Sequence, residues 1–413
     1  MSRRLNPLAF VGPGLLVAAT GVGAGDLATA SIAGSRLGTT VLWAVVVGAF
    51  LKYVLTEGLA RWQLATGKSL LEGVVRHLGR ATAWIFLVYL LIWSVAVGRA
   101  LASACGVTAH ALFPLFQDPV TGKVVFGVLH SLVGVVLVLV GGYRLFEKVM
   151  SAFIVIMFGT VVLTAGLLRP DLGSVLRGLV PTIPAVEGGL AWTVALLGGV
   201  GGTVTLLCYG YWIREEGRRG PKDLSACRID LATGYVATAI FGLAMVVVGS
   251  TVEVEGGGAT LLVSLADRLE ASVGTTVRWL FLVGAWGAVM SSLLGVWQSI
   301  PYLFADLWGM LSGRNAASPA AVDPRSVPYR GYLVFLGVFS TAGLFSSFVQ
   351  IQKIYAILGA LFIPMLAIVL LLLNGREELV GKRYRNSPWT RLVLWASLAL
   401  FLMFGLMEIG PWR

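Results

Sequence analysis

Charge is sparse in this 413-residue sequence: 12% of its residues are Asp, Glu, Lys or Arg, against about 25% in an ordinary soluble domain. Apolar residues make up 57%, where about 45–50% is usual. A water-facing surface cannot be built from so few charges, so a soluble fold is excluded. The mean hydropathy of +0.86 is spread along the whole chain. That excludes a soluble domain hung on one anchoring helix.

Cysteine and histidine are also scarce. Cys105, Cys208 and Cys227 are odd in number and show no C-x-x-C spacing, so neither a disulfide framework nor a zinc site is indicated. They are expected to pack as small apolar residues. His77, His110 and His130 lie near loops or span ends and form no ligand cluster. No set of nucleophile, base and orienting acid is present, so the chain is not expected to be an enzyme, and no resident cofactor is indicated. The net charge of +11 would suggest nucleic acid in a soluble protein. Here Lys and Arg sit in short loops beside apolar runs, as membrane topology requires. The expected surroundings are a lipid bilayer, with no nucleic acid and no obligatory protein partner.

Apolar runs long enough to cross a bilayer as helices fall at 9–34, 39–60, 82–104, 124–141, 149–168, 191–213, 229–250, 277–300, 331–347, 354–374 and 392–409. This predicts an all-α polytopic membrane protein of about eleven transmembrane helices. With the N-terminus inside, the inner segments hold 21 Lys and Arg, including Arg3, Arg4 and Arg314, and the outer ones hold 8, including Arg36, Lys123 and Arg413. The positive-inside rule therefore puts the N-terminus in the cytoplasm. Residues 1–6 read as a cytoplasmic lead-in to span 1, without a signal-peptide cleavage pattern. The expected location is a bacterial inner membrane. The loops at 251–276 and 306–330 have the least definite bounds.

Two spans are interrupted. Span 1 reads Gly21-Val22-Gly23-Ala24-Gly25-Asp26-Leu27-Ala28-Thr29, and span 6 reads Gly198-Gly199-Val200-Gly201-Gly202-Thr203-Val204-Thr205. Glycine lowers helix stability by about 1 kcal/mol per residue, so both segments are predicted to unwind. Unwinding would leave peptide groups at the membrane midplane that only a ligand, water or neighbouring protein can satisfy. Each segment opens a unit of five spans, and five is odd, so the units enter the membrane from opposite sides. Gly-interrupted helices at matching places in two inverted halves point to a transporter binding site. The expected organisation is a 5+5 inverted repeat with unwound helices 1 and 6: residues 1–190, residues 191–374, and an additional span in 375–413.

The sequence resembles the Nramp family of membrane metal transporters over nearly all its length. Gly12-Pro13-Gly14-Leu15, the interruption at 23–26 followed by Ala28-Thr29, Ala65-Thr66-Gly67, Gly202-Thr203-Val204 and Asn374-Gly375-Arg376-Glu377-Glu378-Leu379 carry the likeness. The resemblance implies the inverted-repeat fold shared with many amino-acid transporters. The family's metal ligands differ here. Its Asp-Pro-Gly-Asn is replaced by Gly23-Ala24-Gly25-Asp26, and its Met followed by Pro-His by Thr205, Leu206 and Leu207. The soft thioether that favours transition metals is therefore missing. Arg99 stands in span 3 near the place of the family's proton-path acids.

An acid inside a span is functional by default. Asp26 could bind a hard cation, partner a proton or sodium ion, or pair with Arg99. Arg99 could hold a planar anion by its guanidinium fork or neutralise Asp26. Lys52 is expected to be structural, Glu57 and Arg61 to pair at i, i+4, and Gln298 and Gln350 are polar candidates for lining a path. The substrate-binding set is Gly23, Ala24, Gly25, Asp26, Thr29, Arg99, Gly201, Gly202, Thr203 and Thr205. With one acid and Arg99 in the set, and half-helix N-termini turned toward a midplane site, the first expectation is secondary transport of a small oxyanion such as bicarbonate by alternating access. Such transport could be coupled to Na⁺ or H⁺. The alternative keeps a hard divalent cation, Mg²⁺ or Mn²⁺, with Asp26 as its acid.

Overall fold

The computed structural model describes residues 12–253, 258, 260–313 and 322–409. The readings for Arg3, Arg4, Arg314 and Arg413, for the first residues of span 1, and for parts of the loops at 251–276 and 306–330 lie outside the described residues.

The first span is α1 (Pro13–Gly21), a π-helix (Val22–Thr29) and α2 (Ala30–Leu37) in unbroken succession. Pro13 occupies the first helical turn after an extended Gly12, where its missing N–H costs nothing. A short 3-10 turn leads into α3 (Leu42–Thr66), which stops at Gly67 in the left-handed region, φ +70°. Next come α4 (Leu70–His77), capped by the Ser69 hydroxyl on the Glu72 N–H, and α5 (Arg80–Leu112). Asp118 caps α6 (Pro119–Leu167) through the Val120 and Thr121 N–H groups.

Helix assignment in α6 is continuous, yet the segment covers two predicted spans. His130 Nε2 meets Trp286 Nε1 at 2.9 Å, and the Phe153 ring meets the same tryptophan with centroids 5.4 Å apart. On a straight helix rising 1.5 Å per residue, those two residues would be about 34 Å apart. The helix therefore turns back on itself between them, and its two arms are spans 4 and 5.

The second half repeats the plan. After α7 (Leu172–Gly178), α8 (Gly189–Gly199) and α9 (Tyr209–Glu215) form the sixth span, with a break and a 3-10 turn (Val204–Cys208) between them. Then follow α10 (Leu224–Gly249), α11 (Leu261–Val273) and α12 (Thr275–Leu311). The remaining helices are α13 (Val327–Phe339), α14 (Phe348–Ala360), α15 (Phe362–Leu373), α16 (Glu377–Val380) and α17 (Pro388–Ile409). Among the described residues, nine helical stretches are long and apolar enough to cross a membrane. One of them, Gly25–Thr66, covers two predicted spans, and the shorter Val327–Phe339 matches the ninth, which accounts for all eleven.

The centre of the bundle is α12, packed against α1, the π-helix, α5, α6 and α13. Its Trp297 is fully buried and donates its indole N–H to the Ser131 carbonyl at 3.2 Å, as a buried indole must. Outward-facing side chains include Ile85, Val88, Val136, Val140, Val155 and Trp395. An apolar exterior of that extent fits hydrocarbon and not water. The chain is an all-α integral membrane protein.

Candidate ion site

The two glycine-rich segments depart from the α-helix in different ways. In the first, Gly21 and Ala30 keep right-handed helical dihedrals at the ends of the π-helix, and the Ala30 N–H reaches back to the Gly25 carbonyl, five residues earlier. The first span is widened into a π-helix where the glycines predict unwinding. Ser292 of α12 takes up the altered ladder: its hydroxyl accepts the Gly23 N–H at 2.6 Å and donates to the Ala19 carbonyl at 2.9 Å.

The sixth span is a true break. Helix α8 ends at Gly199, Val200 is extended, and Gly201 and Gly202 take φ +72° and +85°. That region is costly for residues with a Cβ and open to glycine. Thr203, at φ −137° and ψ −107°, returns the chain to the 3-10 turn that starts α9. A Cβ on Gly25 would meet the Gly199 carbonyl, and one on Gly21 the Gly201–Gly202 peptide. The two segments touch backbone to backbone, which only glycine allows.

At that junction Asp26 is fully buried. Its Oδ2 accepts the Gly201 N–H at 3.0 Å, while Oδ1 has no hydrogen-bond partner. The hydroxyls of Thr205 and Thr238 are likewise buried without a partner, while that of Thr203 faces the Tyr355 hydroxyl. Thr205 Oγ1 lies over Gly202, and the Thr238 methyl lies beside Gly201. Buried polar atoms are normally hydrogen-bonded, so three unsatisfied ones around a break of a few residues need an explanation. Tyr235 closes the site with its hydroxyl on Thr56 Oγ1 at 2.8 Å. Lys52 of α3, fully buried, donates to the Gly198 carbonyl at 2.7 Å and also to the Val200 carbonyl.

Of the expected site residues, Gly23, Gly25, Asp26, Gly201, Gly202, Thr203 and Thr205 come together here, joined by the backbone of Ala24. Thr29 is buried at the end of the π-helix. Arg99 is elsewhere: its guanidinium packs against Gly343, in the turn that follows α13. The cation at the break is Lys52, which the sequence reading took as structural. Ser292, Thr238 and Tyr235 went unnamed, because a hydroxyl within an apolar run carries no signal of which way it points. Lys52 had a signal in its depth: ten residues into a 25-residue helix, about 15 Å from the end at 1.5 Å per residue.

The other polar candidates lie apart. Gln298 accepts from Trp212 Nε1 at 3.2 Å and through its carbonyl from the Tyr329 hydroxyl at 2.9 Å. Gln350 is exposed, and the buried amide nearby is Gln352, which donates to the Ala100 carbonyl at 2.9 Å. The expected Glu57–Arg61 pair forms at 2.7 Å, with Arg228 on the other carboxylate oxygen at 2.8 Å. Among the described residues there is no group of three or more His, Cys, Asp or Glu placed to hold a metal.

A family model described as natural resistance-associated macrophage protein-like, Nramp, matches residues 14–409. The chain belongs to the Nramp family. One relative, a protein named divalent metal cation transporter MntH from Chromohalobacter salexigens, is 30% identical over 59% of this chain and 55% of its own length. The similarly named protein of Staphylococcus aureus strain Mu3 is 23% identical over 97% of this chain and 90% of its own length. Among solved structures, a manganese transporter mutant from Eremococcus coleocola superposes with a TM-score of 0.75, covering 97% of this chain and 86% of that one at 15% identity. MhsT in complex with L-phenylalanine superposes with a TM-score of 0.64 over 98% of this chain and 99% of that one, at 14% identity. These likenesses give the Nramp protein the inverted-repeat transporter fold. It is a membrane transporter of a small ion and not an enzyme.

Family membership and the relatives' names correct the first substrate expectation. A small oxyanion such as bicarbonate is not what these relatives carry by name. The physical reason lies in Arg99. The oxyanion reading needed that guanidinium at the broken helix, and it packs against Gly343 instead.

Proposed function

We propose that this chain carries a divalent metal cation across a membrane by alternating access, and that the cation is a hard one such as Mg²⁺ or Mn²⁺. The observation that carries the reading is the Asp26 Oδ1 atom, buried and without a partner where the two glycine-rich segments meet, a junction at which the Thr205 hydroxyl is also unpartnered. A carboxylate oxygen, hydroxyls and peptide carbonyls are the ligands that hard cations take, often with some water retained. Asp26, Thr203 and Thr205 would supply side-chain oxygens, and the backbone at 23–25 and 201–202 the carbonyls, with Thr29 at the margin. The absence of Met and His at 205–207 favours a hard ion over a softer transition metal. The names of the relatives support divalent cations as the class.

The same reading takes residues 1–190 and 191–374 as the two repeats and 375–413 as an additional span. It puts the N-terminus in the cytoplasm on the distribution of Lys and Arg, and the protein in a bacterial inner membrane, as the bacterial relatives suggest. The test is uptake of Mn²⁺ and Mg²⁺ into proteoliposomes, wild type against Asp26→Asn. The variant keeps an oxygen for the Gly201 N–H but loses the charge, and cation affinity depends on ligand charge, so uptake should fall. Wild-type uptake by the variant would move the site elsewhere.

A further inference from the structure

The Lys52 ammonium has no place in the cation site as proposed, yet it is bound in the way a metal ion would be. It donates to the carbonyls of Gly198, in the last turn of α8, and of Val200, the extended residue between the helix and the left-handed Gly201. The Gly198 carbonyl loses its ordinary partner, the N–H four residues on, because the helix stops, and it belongs to the negative end of the α8 dipole. A compact ammonium with three N–H donors held by desolvated peptide oxygens uses the same chemistry as an alkali cation in a carbonyl cage. Asp26 holds the next stretch of the break, accepting the Gly201 N–H at 3.0 Å.

We propose that Lys52 is a tethered monovalent cation filling a carbonyl site opened by the break in the sixth span, and that its removal converts this place into a binding site for a free monovalent cation. The side chain determines specificity, because it excludes Na⁺ and K⁺ from oxygens that would otherwise bind them. It holds one positive charge beside Asp26 without drawing an ion from solution. The inference goes beyond the proposed cargo and does not depend on which ion is carried.

The position of the side chain supports a built site over accidental burial. Gly48, one turn before Lys52 on α3, leaves room only for the Leu197 carbonyl of α8, so the two helices lie close enough for the lysine stem to reach past the helix end. Thr56, one turn after it, donates to the Lys52 carbonyl at 2.7 Å and contacts the Tyr235 hydroxyl at 2.8 Å. This packs the same face of α3 against the wall of the break.

The experiment is thermal unfolding of the purified full-length protein in detergent, titrated with NaCl, methylammonium chloride or choline chloride at constant ionic strength. The wild type should respond alike to all three. Lys52→Ala should start lower and rise saturably with Na⁺ or methylammonium but not with choline, by about 3 °C at ten times the dissociation constant. Lys52→Met, which keeps the bulk of the stem without the charge, should start lower and show no cation-specific rise. An alanine variant that responds equally to Na⁺ and choline would overturn the proposal. So would alanine and methionine variants that fail to fold in every salt, since no free cation would then replace the ammonium. Because the readout is stability, a failure here is distinguishable from a failure of divalent-cation uptake in the wild type.

Discussion

Asp26 and Gly201, 175 residues apart in the chain, are joined by a single hydrogen bond in which the carboxylate Oδ2 accepts the Gly201 N–H at 3.0 Å. The bond ties the widened first span to the broken sixth, so neither interruption can move without the other losing a partner. It also fixes the direction of the free Oδ1 atom, which points to Gly242 of α10, where a Cβ would lie 3.1 Å from it.

Gly201 should not tolerate a side chain. At φ +72° an alanine costs about 1–2 kcal/mol of backbone strain, and its Cβ would press on the Tyr235 ring at 3.2 Å and the Thr238 methyl at 3.3 Å. Gly201→Ala is expected to lower the unfolding temperature and to abolish uptake. Gly217, with a similar φ of +71° but open space around it, provides the control. Gly217→Ala should cost comparable stability and leave uptake unchanged, and equal loss of uptake in both would remove any special role for Gly201.

The Glu57–Arg61 pair should matter more than its third member. Side-chain exposures of 10% and 3% make it a buried pair, and Arg61 also holds the Tyr384 carbonyl at 2.8 Å and Asn386 Oδ1 at 3.0 Å. Breaking such a pair from one side costs about 3–5 kcal/mol, so Glu57→Gln should destabilise by that order. Arg228 is half exposed at 51%, and Arg228→Ala should cost under about 1 kcal/mol. Chemical denaturation of the three proteins side by side measures both, and a larger loss from Arg228→Ala than from Glu57→Gln would contradict this ranking.

Asp230 of α10 secures the start of α1. Its Oδ2 accepts the Gly14 N–H at 2.9 Å, Arg218 Nη1 at 2.9 Å and the Tyr209 hydroxyl at 3.2 Å. Alternating access requires the first half of a broken or widened span to swing, and this carboxylate holds that half in place. Asp230→Asn keeps the oxygen but loses the charge that strengthens these bonds. Hydrogen exchange at the amides of Gly14, Leu15 and Leu16 should then speed up, while exchange within α12 stays unchanged. Unaltered protection at Gly14 would show that Asp230 is not the latch.

The Asp118 cap of α6 gives a pH dependence of known sign. Hydrogen bonds from the Thr121 hydroxyl, the Thr121 N–H and the Val120 N–H, in that order, hold its carboxyl below the usual carboxylate range. A depressed value in the folded state means that the cap's stabilisation is complete above the unfolded value of about 3.9. It is lost as pH falls through the lower folded value. The unfolding temperature of the wild type should therefore drop more steeply below pH 4 or so than that of Asp118→Asn. Parallel curves would mean that Asp118 contributes nothing on titration.

By itself the sequence determined the membrane spans, the glycine interruptions in the first and sixth of them, and the Glu57–Arg61 pair. Each of these depends on composition within a window of a few residues: apolar length, the weak helix propensity of glycine, and the i, i+4 spacing. Only the tertiary structure decided which cation reaches the broken segment that holds Asp26. Arg99 and Lys52 look alike as cations inside apolar runs, and the choice between them depends on how α3 lies along α8 and how α5 meets the turn at Gly343. The form of each interruption was also a tertiary matter. Ser292 reaches across from α12 to keep the first span helical through a π-turn, whereas the sixth span, with Lys52 on its last carbonyls, stays open. Helix propensity favours departure at both places, and the partners that neighbouring helices bring to the freed peptide groups determine what kind of departure each becomes.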